Sequence, residues 1–173
     1  VIAFVCLSLL SNLPQDRYVK VVNGDGFVAS AGAVDGSSLV LAEGADLDAG
    51  LFAATGDIRL EKGTYKVIFR YTTMAEGSSV RLFSPGSVNE DNSLGVTFDE
   101  APLGYPGYRE QTLPPTLQQD IGDMQVQALY GGENAFLVHS VSIMSAGLFF
   151  TDTNLHVLAL LLVAFLLDRA VVL

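Results

Sequence analysis

The chain has 173 residues, enough for one ordinary domain with short appendages. Nine Lys and Arg residues stand against 19 Asp and Glu residues, and the net charge of −10 argues against nucleic-acid binding and disfavours docking of the soluble surface on anionic lipid headgroups. The single cysteine, Cys6, excludes an intrachain disulfide and a cysteine-based zinc cluster.

The chain begins with an uncharged apolar run over residues 1–10. This run lacks the basic leader and the small-x-small cleavage site of a signal peptide, and it is half of the roughly twenty residues that cross a bilayer. We interpret residues 1–14 as a partial transmembrane helix that ends at Pro14. The alternative is an N-terminal strand or core helix of a soluble domain.

Residues 15–146 change from apolar runs to alternation, which is typical of β-strands. Residues 64–73 are the clearest strand, and their alternation places Tyr65, Val67, Phe69 and Tyr71 on one face and Lys66, Ile68 and Arg70 on the other. Residues 57–60 before them predict a β-hairpin through Gly63. Residues 123–130 and 135–143 predict a second hairpin. Further predicted strands cover residues 17–22, 26–30, 38–42, 51–54, 78–84 and 94–98.

The apolar pattern returns near the C-terminus. Residues 155–167 contain one polar residue, His156, and the absence of Gly and Pro favours a helix. We predict a transmembrane helix over residues 147–173, in which the membrane-spanning stretch is truncated. The alternative is a hydrophobic helix packed on the domain.

Two flanking membrane segments predict that the domain of residues 15–146 stands on the extracytoplasmic side of a cell membrane. Its acidity supports that side. The expected partners are membrane lipid and other membrane helices of the same or a partner protein, and the incomplete spans suggest an insertion in a larger polytopic protein.

The predicted fold is mainly β, an antiparallel two-sheet β-sandwich of the jelly-roll type, because short strands with Gly-rich turns occur without helix-period segments between them. Residues 101–119 hold four of the six prolines and are the longest stretch without a strand signal. We expect a long loop there.

Several strand residues carry a resemblance to a known family. A pattern L-x-x-G-x-Y-x-V-x-x-x-Y, then V-x-L, then Gly-Gly and V-x-S-V-S-I, resembles galactose-binding-like jelly rolls, the sandwiches of many carbohydrate-binding modules. The residues of the first two patterns are Leu60, Gly63, Tyr65, Val67, Tyr71, Val80 and Leu82. Similar domains occur as extracytoplasmic insertions between transmembrane helices of bacterial proteins of cell-surface glycan assembly, so the resemblance implies a membrane and glycan context.

The predicted loop supplies the candidate ligand-binding residues Tyr105, Tyr108, Arg109 and Glu110. Sugar sites pair an aromatic ring, which stacks on the apolar face of a pyranose, with a few planar polar groups. The alternative is that these tyrosines and the neighbouring prolines close one end of the sandwich.

An acidic turn is the candidate metal site. Asn89, Glu90 and Asp91 are rich in oxygen ligands, and the resemblance implies a structural calcium, although a solvated acidic turn is the default for such a segment. No other cofactor is predicted. His139 shares its predicted face with Leu137, Val141 and Ile143, so we expect a hydrogen-bonded histidine at the edge of the core.

These features favour a non-catalytic extracytoplasmic module that binds or positions a cell-surface glycan or a lipid-linked sugar. The alternative is a structural or protein–protein interaction domain with no ligand of its own. No catalytic motif indicates an enzyme, and a larger protein that contains this chain could still hold an active site elsewhere.

Overall fold

The alternation in the sequence corresponds to thirteen β-strands in the computed structural model, which describes residues 17–43, 48–73, 77–104, 107–132 and 135–145. All of these residues belong to one unit, residues 17–146. The strands are β1 Arg17–Asn23, β2 Phe27–Ala29, β3 Ala33–Asp35, β4 Ser38–Leu41, β5 Gly50–Thr55, β6 Ile58–Leu60, β7 Gly63–Thr73, β8 Ser79–Val88, β9 Leu94–Pro102, β10 Gly107–Leu113, β11 Thr116–Leu117, β12 Ile121–Tyr130 and β13 Phe136–Ser145.

The strands form two antiparallel sheets. Sheet I has the order β10-β7-β13-β4-β3, with β1 also paired to β13 and β11 also paired to β7. Sheet II has the order β2-β5-β12-β8-β9, with β6 also paired to β12. The predicted mainly-β class and the two-sheet antiparallel sandwich are confirmed.

The core lies between the two sheets. In β7, Tyr65, Val67, Phe69 and Tyr71 are all buried on the inner side, as the alternation predicted. Aromatic side chains join the sheets: the ring centroids of Phe27 and Phe69 lie 6.4 Å apart, and those of Phe52 and Phe136 lie 5.6 Å apart. Each fully buried side chain of this size contributes about 1.5–3 kcal/mol relative to exposure.

Both predicted hairpins are wrong, although their strands exist. β6 pairs with β12 in sheet II, whereas β7 pairs with β10, β11 and β13 in sheet I. The segment around Lys62 therefore crosses from one sheet to the other. The segment between β12 and β13 crosses in the same way, since these strands also belong to different sheets.

The predicted long loop over residues 101–119 is also wrong. Residues 107–113 form β10, and every residue of β10 pairs with a residue of β7. Residues 116–117 form β11. β10 is an edge strand with polar residues on both faces, so it lacks the apolar alternation that marks a half-buried strand.

The apolar segments predicted as membrane helices, residues 1–14 and 147–173, lie outside the described residues. In the part of the chain that the structure describes, no helix has the length and apolar character that a membrane crossing requires.

Candidate functional site

The edge strand β10 brings two of the predicted site residues to the outer face of sheet I. Tyr108 is opposite Thr72 and Glu110 is opposite Arg70 in the antiparallel register. Side chains two residues apart in a strand share a face, and this face is the one opposite the core residue Tyr71. Tyr108 is 54% exposed, so its ring is available to solvent.

His139 forms the centre of a polar row on this face. Its Nδ1 lies 3.0 Å from Ser38 Oγ and its Nε2 lies 2.7 Å from Thr72 Oγ1. The Tyr108 ring packs against the imidazole, with centroids 5.3 Å apart and ring planes at 42°. We call Tyr108, Thr72, His139 and Ser38 the tyrosine row. It crosses four neighbouring strands, β10, β7, β13 and β4.

A β-bulge explains how His139 reaches the outer face. The register of β13 on β7 passes from Val138↔Tyr71 to Ser140↔Arg70, which leaves His139 as the extra residue. The predicted shared face is therefore wrong for Val141 and Ile143, whereas Leu137, opposite Thr72, does lie on the outer face with His139. Val138, just before the bulge, is fully buried. The extra residue shifts the alternation, so that Val141 and Ile143 after the bulge also face the core.

The environment of His139 favours the neutral imidazole. Burial lowers the pKa of His139 below its ordinary value. A neutral imidazole donates from one nitrogen and accepts at the other, which matches one hydroxyl on each side. The described hydrogen bonds of the ring go to hydroxyls and not to a carboxylate, so this arrangement differs from a Ser-His-Asp triad.

A charged pair adjoins the tyrosine row. Arg70 Nε donates to Glu110 Oε1 at 2.6 Å, and Arg70 Nη1 donates to Ser142 Oγ at 2.9 Å. Sequence reasoning missed Arg70 as a site residue, although its outward position in the alternation of β7 was already evident.

The structure separates Arg109 from its predicted partners. Arg109 is opposite the core residue Tyr71, so its side chain lies on the other side of β10 from Tyr108 and Glu110. Burial raises the pKa of Tyr71, and the nearby charge of Arg109 acts in the opposite direction. Tyr105, the fourth predicted residue, lies outside the described residues.

The candidate calcium residues lie in the turn between β8 and β9. Asp91 Oδ1 accepts hydrogen bonds from Ser93 N at 3.0 Å and from Ser93 Oγ at 2.6 Å, and Asn89 Nδ2 donates to the same hydroxyl. These bonds lower the pKa of the exposed Asp91 carboxyl. No group of three or more His, Cys, Asp or Glu residues that could hold a metal occurs among the described residues. Calcium binding at Asn89, Glu90 and Asp91 stays a prediction.

The outer face of sheet II has different chemistry. A groove of about 480 Å³ runs along β2, β5 and β12. Its lining includes Val28, which is 75% exposed, and Leu51, which is 47% exposed, together with Ala54 and Gln125. Beyond the groove, the Arg81 guanidinium lies 5.2 Å from the centroid of the Phe83 ring and donates to Gln127 Oε1.

Comparison with known proteins shows a shared fold and no close relative. No family model matches the sequence, and no curated protein matches it. Solved structures do match. The CBM22-1-GH10 modules of an endo-1,4-β-D-xylanase from Clostridium thermocellum, complexed with xylohexaose, are 13% identical with a TM-score of 0.51, over 77% of this chain and 29% of that chain.

Two further structures illustrate the range of neighbours. A glycosylation-associated protein complex from Streptococcus agalactiae is 13% identical with a TM-score of 0.51, over 82% of this chain and 28% of that chain. A carbohydrate-binding module of a Cellvibrio mixtus lichenase, in complex with cellotriose, is 11% identical with a TM-score of 0.47, over 76% of this chain and all of that chain. At such identities the likeness shows the fold alone, and the expected carbohydrate-binding-module-like fold is confirmed.

Proposed function

We propose that the chain is a non-catalytic module that binds a neutral saccharide on the outer face of sheet I, and that its apolar segments hold it on the extracytoplasmic side of a membrane. The observation that carries the binding proposal is the exposed ring of Tyr108, which ends the tyrosine row and lies on the same face as the Arg70–Glu110 pair.

The exposed tyrosine ring supplies the apolar half of a sugar site. A pyranose presents C–H groups on one face, and an aromatic ring with its face in solvent stacks on them. Contact with the His139 ring limits the movement of Tyr108, since His139 is itself held by two hydroxyls. A ring held in this way loses little conformational freedom on binding.

The neighbouring polar groups supply the hydroxyl-binding half. Arg70 and Glu110 offer planar donors and acceptors on the same face as the ring, and the side chain of Glu110 is half exposed. Their charges cancel, so the pair itself presents no excess cation to a uronate or a phosphate. Together with the net charge of −10, this balance favours a neutral saccharide.

The solved neighbours suggest which saccharides to test. The names of two of them record bound xylohexaose and cellotriose, both neutral oligosaccharides. A shared fold does not transfer a ligand, because sandwiches of this type serve many functions. These oligosaccharides are therefore probes for the proposed face.

The membrane part of the proposal has a geometric support in the described domain. Residue 17 in β1 and residue 145 in β13 are cross-strand partners. The described residues therefore begin and end at the same end of the sandwich, which suits attachment to a single membrane. The acidity of the domain supports its location on the extracytoplasmic side.

Titration of the full chain in detergent or nanodiscs tests the function. We expect saturable calorimetric or NMR responses to xylohexaose or cellohexaose, and a weaker response to a uronic acid oligosaccharide of equal length. Absence of binding to every saccharide at millimolar concentration would overturn the binding proposal and favour the structural or protein–protein alternative.

A further inference from the structure

The two members of the charged pair on the outer face of sheet I differ in exposure. The side chain of Glu110 is 50% exposed, whereas that of Arg70 is 26% exposed. They are cross-strand partners on β10 and β7, and Arg70 Nε donates to Glu110 Oε1 at 2.6 Å. A saccharide that approaches this face therefore meets more of the acidic side chain than of the basic one.

Arg70 has a second hydrogen-bond partner that is independent of Glu110. Its Nη1 donates to Ser142 Oγ at 2.9 Å, and Ser142 is buried, so the guanidinium is held on the face from two sides. A guanidinium has five N–H donors in one plane, and two of them are used in these bonds. The remaining donors on Nη1 and Nη2 have no partner among the described residues, and their planar arrangement matches the two oxygens of a carboxylate.

Other charged groups around this face lie farther from the pair. Lys66 shares the outer side of β7, but it precedes Arg70 by four residues, which corresponds to about 13 Å along a strand. Asp35 in β3 is three strands away from β7, about 14 Å across the sheet. Arg109 is adjacent to Glu110 in sequence, but its side chain lies on the other side of β10. Among the described residues, Glu110 therefore carries the charge closest to Arg70.

We propose that Glu110 determines the charge selectivity of the saccharide face: its carboxylate neutralises Arg70 and repels acidic sugars, and loss of that charge makes Arg70 a binding site for a uronate carboxylate. This inference rests on saccharide binding in the proposed function, and it adds the residue that excludes one class of ligand. A fixed like charge is a common means of rejecting a competing ligand. Stacking on Tyr108 does not depend on this charge, because its ring packs against His139.

The test compares two hexasaccharides that differ only at C6, cellohexaose and the β-1,4-linked hexamer of glucuronic acid. Glu110→Gln keeps the size of the side chain and an oxygen that accepts from Arg70 Nε, so it removes mainly the charge. Calorimetric titration of the full chain in detergent or nanodiscs measures both Kd values at an ionic strength of about 0.1 M, where the screening length is about 10 Å. Binding of cellohexaose by the variant should weaken, whereas binding of the uronate hexamer should strengthen about fivefold or more, with a gain that high salt reduces.

Two control variants identify the group responsible. Glu61→Gln makes the same change of charge before β7 begins, more than about 20 Å from Arg70 along the strand, so its uronate affinity should equal that of the wild type. The double variant Arg70→Gln/Glu110→Gln should lose the gain. Arg109 and Lys66 keep their charges in all of these variants, so a loss in the double variant assigns the gain to Arg70.

The outcomes separate this inference from the proposed function. Unchanged uronate affinity in Glu110→Gln, with cellohexaose still bound by the wild type, would overturn the selectivity role and leave saccharide binding intact. An equal gain in Glu61→Gln, or a gain that persists in the double variant, would also overturn it. Absence of binding of both hexamers by the wild type and by Glu110→Gln would overturn both proposals.

Discussion

The outer faces of the two sheets show that the size of a depression and its chemistry are separate properties. Sheet II has the groove of about 480 Å³, but its lining is mainly aliphatic side chains and backbone. Sheet I presents an exposed tyrosine, a hydrogen-bonded histidine and an Arg–Glu pair in adjacent positions. A saccharide needs a flat apolar ring and planar polar groups together. Sheet I presents them around the mostly exposed ring of Tyr108, whereas on sheet II the Arg81 guanidinium lies over the half-buried ring of Phe83.

The largest expected effect comes from a change in the core that supports both sheets. Phe69 is fully buried, and its ring lies 5.8 Å from that of Tyr71 and 6.4 Å from that of Phe27. Phe69→Ala should lower the free energy of unfolding by about 3–5 kcal/mol, because it leaves a cavity between the sheets. Urea denaturation measures the loss. The control Val28→Ala, at a mostly exposed position, should change it by less than about 0.5 kcal/mol.

A second change affects sheet II alone. Gly95 has a φ of +94°, and a Cβ added there would lie 2.8 Å from the Phe83 ring. Gly95→Ala should cost about 1–3 kcal/mol through backbone strain and displacement of that ring. Saccharide affinity should not change. Gly122→Ala, which has open space around its Cβ, is the matched control. Equal stability of the two variants would contradict this account of Phe83.

A smaller effect concerns the charged pair of sheet I. A double-mutant cycle with Arg70→Gln and Glu110→Gln should give a coupling free energy of about 0.2–1 kcal/mol in stability, since the side chains are 26% and 50% exposed. Each single change should also weaken saccharide binding. A coupling free energy of zero in stability, together with unchanged saccharide affinity in both single variants, would show that the pair has no role on this face.

The smallest effect is a pH dependence from His139. Its folded-state pKa is lowered by burial, so the unfolded chain binds more protons in the interval between that pKa and the unfolded value of about 6.5. Stability should therefore be complete above about pH 6.5 and should decrease as the pH falls below it. Thermal unfolding from pH 8 to pH 5 measures this slope.

His139→Gln should remove that part of the slope. Burial raises the pKa of Asp99 in sheet II, and this changes the free energy of unfolding with pH in the opposite direction. The contribution of Asp99 to stability is lost as the pH rises through its folded-state pKa. The difference between the wild type and His139→Gln isolates the imidazole. Identical pH profiles for the two proteins would rule out titration of the partly buried imidazole as the source of this pH dependence.

The sequence predicted which residues form strands and which face the core more successfully than it predicted strand partners. The period of two in β7 identified Tyr65, Val67, Phe69 and Tyr71 as core residues, since alternation follows from strand geometry alone. Partners depend on contacts between distant segments. The short turns after β6 and β12 suggested hairpins, whereas both segments cross between the sheets.

The candidate site was predicted in part. Tyr108 and Glu110 lie on one face as a pair, but Arg109 does not, because β10 is a strand and adjacent side chains in a strand point to opposite sides. Recognition of β10 would have separated these residues from sequence alone. The displacement of His139 to the outer face depends on a bulge in β13, and no local pattern in the sequence indicates that bulge.

The central claim is that the outer face of sheet I, and not the groove of sheet II, binds the saccharide. Calorimetric titration of Tyr108→Ala and Leu51→Ala with the neutral hexasaccharide that the wild type binds compares the two faces directly. We predict that Tyr108→Ala raises Kd about tenfold or more while Leu51→Ala leaves it unchanged. Loss of affinity in Leu51→Ala with unchanged binding by Tyr108→Ala would contradict the claim and assign the ligand to sheet II.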